Sequence, residues 1–271
     1  MRWKTRAIAM VVIVVLMAVS FVIPVSAISD GEVAAPSAIL MEPNTGKILY
    51  EKNANELRPC ASITKVMTLL LVMEAIDSGK ISLDDQVTAS AHAASMGGSD
   101  IWLKEGETMS VNDLIKATVI MSANDAAVVL AEHVYGTEDE FVKQMNIRAK
   151  QLGMNDTTFK NCNGLDEDGH LTTAHDVALM SAELIKHEKI FDYTLTWMDY
   201  VRDGETQLVN TNKLIRSYKG ITGLKTGTTS QAGSCISATA KRDNLSLVAV
   251  VLGCSTTDER FTSASTLLDY G

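Results

Sequence analysis

The sequence predicts a mixed α/β domain in which strands from both ends of the chain form one antiparallel sheet around an inserted helical region. Two short apolar runs flank a turn near the start, helical patterns dominate between residues 62 and 186, and strand patterns return after about residue 200. The order strand, helix, strand is typical of a sheet built from two distant parts of a chain.

The first predicted elements are a hairpin and a buried helix. The runs Ala38–Glu42 and Lys47–Glu51 are separated by a Pro-Asn-Thr-Gly segment, whose residue types favour a tight turn. The segment Ser62–Ser78 is apolar on nearly every face and is followed by Gly79. This pattern predicts a helix that is buried on most sides.

The later elements have clear start and stop signals. Thr137 with Glu140, and Thr173 with Asp176, are typical of helix N-termini. The expected helices are 111–121, 125–135, the one after Thr137, 173–186 and 258–270, and the expected strands are 223–229, 234–240 and 245–253. Because a short turn at 241–244 joins the last two strands, the three should be neighbours in an antiparallel sheet.

The N-terminus has the composition of an export signal, which we place at residues 1–27. Three basic residues within the first six precede the apolar run Ala7–Ile23, and small residues at 25–27 suit a signal peptidase. An uncleaved membrane anchor is the alternative. No later segment is long and apolar enough to span a bilayer. The mature domain, 33–271, is therefore expected outside the cytoplasmic membrane, at its outer face or in the cell wall, without a strong anchor.

Charge and cysteine content narrow the function classes. The formal net charge is −9, and loss of a basic leader would make it more negative, which excludes a typical nucleic-acid-binding protein. The four cysteines, Cys60, Cys162, Cys235 and Cys254, fit no CxxC metal pattern. Cys235 and Cys254 fall at opposite ends of the last predicted hairpin. We expect buried or unpaired thiols, and disulfides are the alternative.

Three short motifs follow one another along the chain: Ser62-Ile63-Thr64-Lys65, then Ser122-Ala123-Asn124, then Lys225-Thr226-Gly227-Thr228. Each motif alone occurs by chance in many proteins. The ordered set is the one found in penicillin-binding proteins and class A β-lactamases.

The first motif suits a nucleophile and its base. On a helix, positions i and i+3 share one face, so Lys65 can lie beside the Ser62 hydroxyl. A serine becomes a nucleophile when a neighbouring base takes its proton. Lys65 can be that base if it is neutral, and a helix N-terminus, burial and the second cation Lys225 would all lower its pKa. The alternative is an N-cap serine beside an ordinary solvated lysine.

The other two motifs suit the walls of a cleft. Ser122-Ala123-Asn124 interrupts an apolar helical stretch, which predicts a break that holds two polar side chains in a cleft. A plain helix junction would give the same pattern. Lys225 begins a threonine-rich edge strand that could bind a peptide and its carboxylate, and a solvated edge lysine is the alternative.

Asp166, Asp168 and His170 form a further polar cluster, but their spacing lacks the regular pattern of a calcium loop. We therefore expect a solvated loop at this position. Neither a metal ion nor another cofactor is expected.

On these motifs the chain resembles the serine D-alanyl-D-alanine carboxypeptidases, the low-molecular-mass penicillin-binding proteins. The likeness runs from about residue 35 to the end and includes Arg58-Pro59, Asn124–Ala127, Asn161-x-x-Gly164-Leu165 and His170 followed by Thr172–Asp176. It implies the fold of β-lactamases and DD-peptidases, a five-stranded antiparallel sheet flanked by helices. The cleft would lie between the sheet and the helical lobe.

The resemblance also implies roles for individual residues. Ser62 would be the acylated nucleophile and Lys65 its base, while Ser122 would relay a proton to the leaving amine. Asn124 would hold Lys65 and the substrate amide. Lys225, Thr226 and Thr228, which flank Gly227, would bind the terminal carboxylate. The N–H groups of Ser62 and Thr228 would form the oxyanion hole.

The activity implied is removal of the terminal D-alanine from peptidoglycan pentapeptides, in cell-wall synthesis and cell shape, with β-lactams as covalent inhibitors. The rivals are a class A β-lactamase and a sensor that binds or acylates without turnover. A class A enzyme needs a deacylating glutamate, and the segment where it would lie, Thr157–Cys162, contains no acid. Most relatives continue into a β-rich second domain and an anchor helix. We expect either that the sequence is truncated before them or that the protein is a soluble single-domain member that lacks both.

Overall fold

A computed structural model describes residues 28–29 and 31–271. The predicted export signal, residues 1–27, lies outside the described residues. The strands are β1 (Ser37–Glu42), β2 (Lys47–Lys52), β3 (Gln86–Thr88), β4 (Thr108–Ser110), β5 (Met198–Val201), β6 (Thr206–Val209), β7 (Ile221–Thr229), β8 (Gly233–Arg242) and β9 (Leu245–Cys254).

Five of these strands form one antiparallel sheet in the order β2-β1-β9-β8-β7. The register places Leu40 of β1 opposite Ala249 of β9, although the two residues lie near opposite ends of the chain. The predicted first hairpin, the three adjacent late strands and the sheet built from both ends are therefore confirmed.

The sheet is covered on both faces, which explains why β9 is almost continuously apolar. Alternate side chains of a strand point to opposite faces. Val248 and Val250 belong to the hydrophobic cluster of the helical lobe, which contains the helices between residues 65 and 184. Ala249 and Val251 pack with residues of the C-terminal helix, Thr257–Tyr270.

The helices are α1 (Lys65–Asp77), α2 (Ala91–Ala94), α3 (Val111–Lys116), α4 (Asn124–Tyr135), α5 (Glu138–Gln151), α6 (Ala174–Leu184), α7 (Phe191–Thr194), α8 (Leu214–Ser217) and α9 (Thr257–Tyr270). In α1, 10 of the 13 residues are buried, as its apolar pattern predicts. The side chain of Thr137 accepts the N–H of Glu140, and that of Thr173 accepts the N–H of Asp176, so both predicted helix starts are confirmed.

Two short antiparallel strand pairs, β3 with β4 and β5 with β6, were not predicted, because strands of three or four residues carry too little alternation to be recognised. None of the helices that the structure describes has the length and apolar content of a transmembrane span.

The expected placement of Cys235 and Cys254 at opposite ends of the last hairpin is wrong. Strand β8 pairs with β9 so that Ser234 faces Cys254, which brings the two cysteines to the same open end of the hairpin. In a hairpin, the start of the first strand lies beside the end of the second strand, so residues far apart in sequence are neighbours at the end away from the turn. All four cysteines are buried and unpaired, as expected.

Candidate active site

Ser62 lies in a turn that leads directly into the buried helix. A 3-10 turn, Ala61–Thr64, runs directly into α1, and Ala61 has a left-handed backbone with φ of 50°. Lys65 is the first residue of α1, and its Nζ lies 3.0 Å from the Ser62 Oγ. The i, i+3 spacing therefore places the amine beside the hydroxyl, as predicted.

Lys65 is completely buried and held by three oxygens. Besides Ser62, its Nζ contacts the Oδ1 of Asn124 at 2.5 Å and the carbonyl oxygen of Asn163 at 2.6 Å. Burial lowers the pKa of Lys65 to about 7. The alternative of an ordinary solvated lysine is therefore wrong, and the amine is poised between its neutral and charged forms near neutral pH.

The second motif breaks the helix as predicted. A π-helical turn, Ala117–Met121, ends at Ser122, which has a left-handed backbone with φ of 67°, and α4 then begins at Asn124. Asn124 spans the gap between two segments, because its Oδ1 accepts from Lys65 while its Nδ2 donates to the carbonyl of Gly97 at 2.6 Å. This residue is therefore both a helix start and part of the cleft.

The third motif lies on β7, at the edge of the sheet, and Lys225 is only 2% exposed there. Its Nζ donates to the carbonyl of Thr226 at 2.9 Å. Burial, together with the positive charges of Lys65 and Arg260, holds the pKa of Lys225 well below its usual value. The alternative of a solvated edge lysine is wrong. An anion entering the cleft would relieve the repulsion among these cations.

Arg260 is a site residue that the sequence reasoning missed. It lies in the first turn of α9, and its guanidinium donates to the Gly227 carbonyl at 3.0 Å and to the Thr228 Oγ1 at 2.8 Å. One signal could have revealed it. Arg260 shares a helix face with the buried Ala264 and Leu267, at spacings of four and seven residues, and a lone arginine on an apolar face needs a partner inside.

The loop 161–165 forms a further wall of the site, and its contribution was also missed. The Asn161 Oδ1 accepts the N–H of Gly164 at 2.8 Å, and its Nδ2 donates to the carbonyl of Leu165, which folds the loop tightly. The fold directs the Asn163 carbonyl at Lys65. A backbone carbonyl has no residue signature, so no sequence pattern could have identified this contact.

These elements enclose a cleft of about 220 Å³. Six of the eight predicted site residues line it, whereas Lys65 and Lys225 lie buried behind its walls. The lining residues are Ser62, Gly98, Ser99, Ser122, Asn124, Gly164, Leu165, Thr211, Thr226, Gly227, Thr228, Thr229 and Arg260. In the described part of the chain, no group of three or more His, Cys, Asp or Glu side chains is arranged to hold a metal ion.

The sequence model of the D-alanyl-D-alanine carboxypeptidase family matches residues 24–256. The chain belongs to this family. The resemblance inferred from the three motifs is therefore confirmed.

Two family members illustrate the range of similarity. The D-alanyl-D-alanine carboxypeptidase DacF of Bacillus subtilis is 50% identical over 239 residues, which cover 87% of this chain and 61% of that protein. DacC of Escherichia coli is 38% identical, over 92% of this chain and 65% of its own length. The chain thus spans somewhat less than two thirds of these relatives.

Solved structures confirm the fold class, an antiparallel five-stranded sheet flanked by helices. Penicillin-binding protein D2 of Listeria monocytogenes, in its ampicillin-bound form, matches with a TM-score of 0.81 and 36% identity over 88% of this chain and 98% of that one. Penicillin-binding protein 5 of Haemophilus influenzae matches with a TM-score of 0.85 and 31% identity, over 90% and 72% of the two chains.

Proposed function

We propose that this family member is an exported serine-type D-alanyl-D-alanine carboxypeptidase that removes the terminal D-alanine from peptidoglycan stem pentapeptides. The main support is the buried amine of Lys65, which lies 3.0 Å from the Ser62 hydroxyl in a cleft bordered by β7, where the side chains of Lys225 and Arg260 are buried. A nucleophile with its base, facing an anion site, suits a substrate that ends in a free carboxylate.

The reaction begins with Ser62. Its Oγ attacks the carbonyl carbon of the penultimate D-alanine while neutral Lys65 takes the hydroxyl proton. The carbonyl electron pair moves to oxygen, and the N–H groups of Ser62 and Thr228 stabilise the negative charge. Lys65 is then an ammonium ion.

The tetrahedral intermediate collapses with loss of the terminal D-alanine. The C–N bond breaks, and the proton held by Lys65 passes through the Ser122 hydroxyl to the leaving amine. The acyl group stays on Ser62 as an ester. A water molecule then attacks the ester, giving one proton to Lys65, and the Ser62 Oγ recovers that proton as it leaves.

The terminal carboxylate is bound by Lys225, Thr226 and Thr228, with Arg260 as an additional cation. Arg260 already donates to the Thr228 hydroxyl and the Gly227 carbonyl, so it also holds the strand in place. β-Lactams are expected to acylate Ser62 as covalent inhibitors, because they pair a strained amide with a carboxylate. The export signal predicted at 1–27 supports action on the wall outside the cytoplasmic membrane.

Two assays on purified protein test the proposal. Fluorescent penicillin should label the protein, with the adduct on the peptide that contains Ser62, and a D-Ala-D-Ala peptide should release D-alanine over many turnovers. Ser62→Ala is the control and should lose both activities. Rapid clearance of a chromogenic cephalosporin without D-alanine release would establish a β-lactamase instead. Stable labelling without D-alanine release would establish a sensor.

A further inference from the structure

A chain of buried hydrogen bonds leads from the loop after α5 to the residue before the proposed nucleophile. The backbone N–H of Lys160 donates to the Nδ1 of His170 at 3.2 Å, and the His170 Nε2 lies 2.8 Å from the Thr64 Oγ1. The Thr64 hydroxyl in turn donates to the carbonyl oxygen of Ala61 at 2.9 Å. His170 and Thr64 are 106 positions apart in sequence, so the fold alone brings them together.

For each hydrogen bond in this series, the donor and the acceptor can be assigned. A neutral imidazole has one donor and one acceptor nitrogen, and Lys160 uses the Nδ1 of His170 as the acceptor. The proton therefore lies on Nε2, which donates to Thr64. His170 is buried, so the expectation of a solvated loop is wrong at this residue, although Asp166 and Asp168 are exposed. Burial lowers the pKa of His170 to about 4, so the ring stays neutral under ordinary conditions. Thr64 is fully buried, so its hydroxyl, which also lies 3.4 Å from the Cys60 Sγ, is shielded from water.

The Ala61 carbonyl, which ends this series of hydrogen bonds, belongs to the same peptide unit as the Ser62 N–H. In a planar trans peptide, the N–H points opposite to the C=O, so a constraint on the Ala61 oxygen is also a constraint on the Ser62 N–H. Ala61 has a left-handed backbone, which a residue with a Cβ adopts at a cost and keeps only when its surroundings hold it there. The Thr64 hydroxyl supplies such a hold.

We propose that His170, acting through Thr64, is a positioning residue that fixes the direction of the Ser62 N–H as an oxyanion-hole donor. The inference rests on the proposed function, in which this N–H stabilises the negative charge of the tetrahedral intermediate. His170 touches neither substrate nor reacting atoms. Its effect is to keep one backbone donor aimed at the place where charge develops, before the substrate arrives.

The test compares variants that keep or remove each donor. Thr64→Ser keeps the hydroxyl and Thr64→Val removes it at nearly constant shape. His170→Gln can still donate from a nitrogen near the Nε2 position, and His170→Leu cannot. Thr118→Val is the matched control, because Thr118 is also buried and its hydroxyl donates to a helix carbonyl, that of Leu114, at 2.8 Å.

Three quantities separate positioning from plain stability. They are the acylation rate constant with penicillin, the dissociation constant of the complex that precedes acylation, and the affinity for a D-alanine boronic acid, which forms a tetrahedral adduct on serine. Thr64→Val and His170→Leu should lower the acylation rate roughly 10- to 100-fold, somewhat less than complete loss of an oxyanion donor. Boronate affinity should fall in proportion, while the pre-acylation dissociation constant stays within about two-fold.

Thr64→Ser and His170→Gln should recover most of the rate, and Thr118→Val should acylate like the wild type even where its melting temperature falls. The proposal is overturned if a folded Thr64→Val or His170→Leu protein acylates at the wild-type rate, or if the rate falls while boronate affinity is unchanged. Wild-type protein that fails to acylate would refute the proposed function instead, so the two failures are distinguishable.

Discussion

Gly164 lies so close to the Ala61 carbonyl that a Cβ on Gly164 would stand 2.0 Å from that oxygen. Gly164 also has a φ of 87°, in the region that favours glycine. The contact joins the loop 161–165 to the turn that carries Ser62. The loop and the proposed nucleophile therefore lie in contact on one wall of the cleft.

The Gly164→Ala variant should lose penicillin labelling and melt at a lower temperature than the wild type. The added methyl must displace the Ala61 carbonyl, because the clash is with backbone, and the Ser62 peptide moves with it. Rate constants of labelling and thermal unfolding curves measure the two effects. Gly153→Ala is the matched control, since Gly153 has a φ of 80° with nothing within 4 Å. The free energy of unfolding of this control should fall only by the cost of a left-handed backbone at alanine, about 1–2 kcal/mol, and its labelling should be normal.

Acylation should depend on pH through Lys65. The pKa of Lys65 is lowered to about 7, so the amine is protonated below that pH and cannot accept the Ser62 proton. The rate of acylation by penicillin should therefore rise between about pH 6 and pH 8 and then level off. Lys65→Arg should abolish acylation at every pH in this range, because a guanidinium stays charged. A flat pH profile in the wild type would contradict the role of Lys65 as base.

Arg260 should matter most for substrates that end in a carboxylate. Hydrogen bonds to charged groups contribute about 1.5–3 kcal/mol, so Arg260→Ala should lower kcat/KM for a D-Ala-D-Ala peptide roughly 10- to 100-fold. The same peptide with an amidated C-terminus lacks the anion and should lose much less. Equal losses on both peptides would mean that Arg260 only supports β7.

Cys60 should be dispensable for acylation although it is two residues from Ser62. Its side chain is fully buried, and burial raises the pKa of its thiol to about 11, so the reactive thiolate is scarce. Cys60→Ser should still bind fluorescent penicillin, and iodoacetamide should leave Cys60 unmodified in the folded wild-type protein. Loss of labelling in a folded Cys60→Ser protein would reveal a role for the thiol.

The sequence predicts the parts of this structure that depend on neighbours along the chain. The Ser62 and Lys65 pair follows from helix spacing, the break at Ser122 from polar residues in an apolar helix, and the starts at Thr137 and Thr173 from their caps. These features need only local geometry.

What sequence reasoning misses depends on contacts between distant segments. Arg260 enters the site from the last helix, and the Asn163 carbonyl contacts Lys65 from 98 positions away. The burial of Lys225 likewise results from the packing of β7 against the turn before α1, where a Cβ on Gly227 would stand 2.8 Å from the Ser62 nitrogen. Only the three-dimensional fold defines these relationships.

The central position of β9 in the sheet affects how the protein folds. Strand β1 pairs with β2 on one side and β9 on the other, so the sheet stays in two pieces until the residues up to Cys254 are available. Such long-range pairing slows folding, because a large loop must close before the contacts form. Because the helical lobe precedes β7, β8 and β9 in sequence, its apolar face that later covers the sheet stays exposed until those strands emerge. A chaperone that protects this surface until the last strand emerges would raise the yield of native protein.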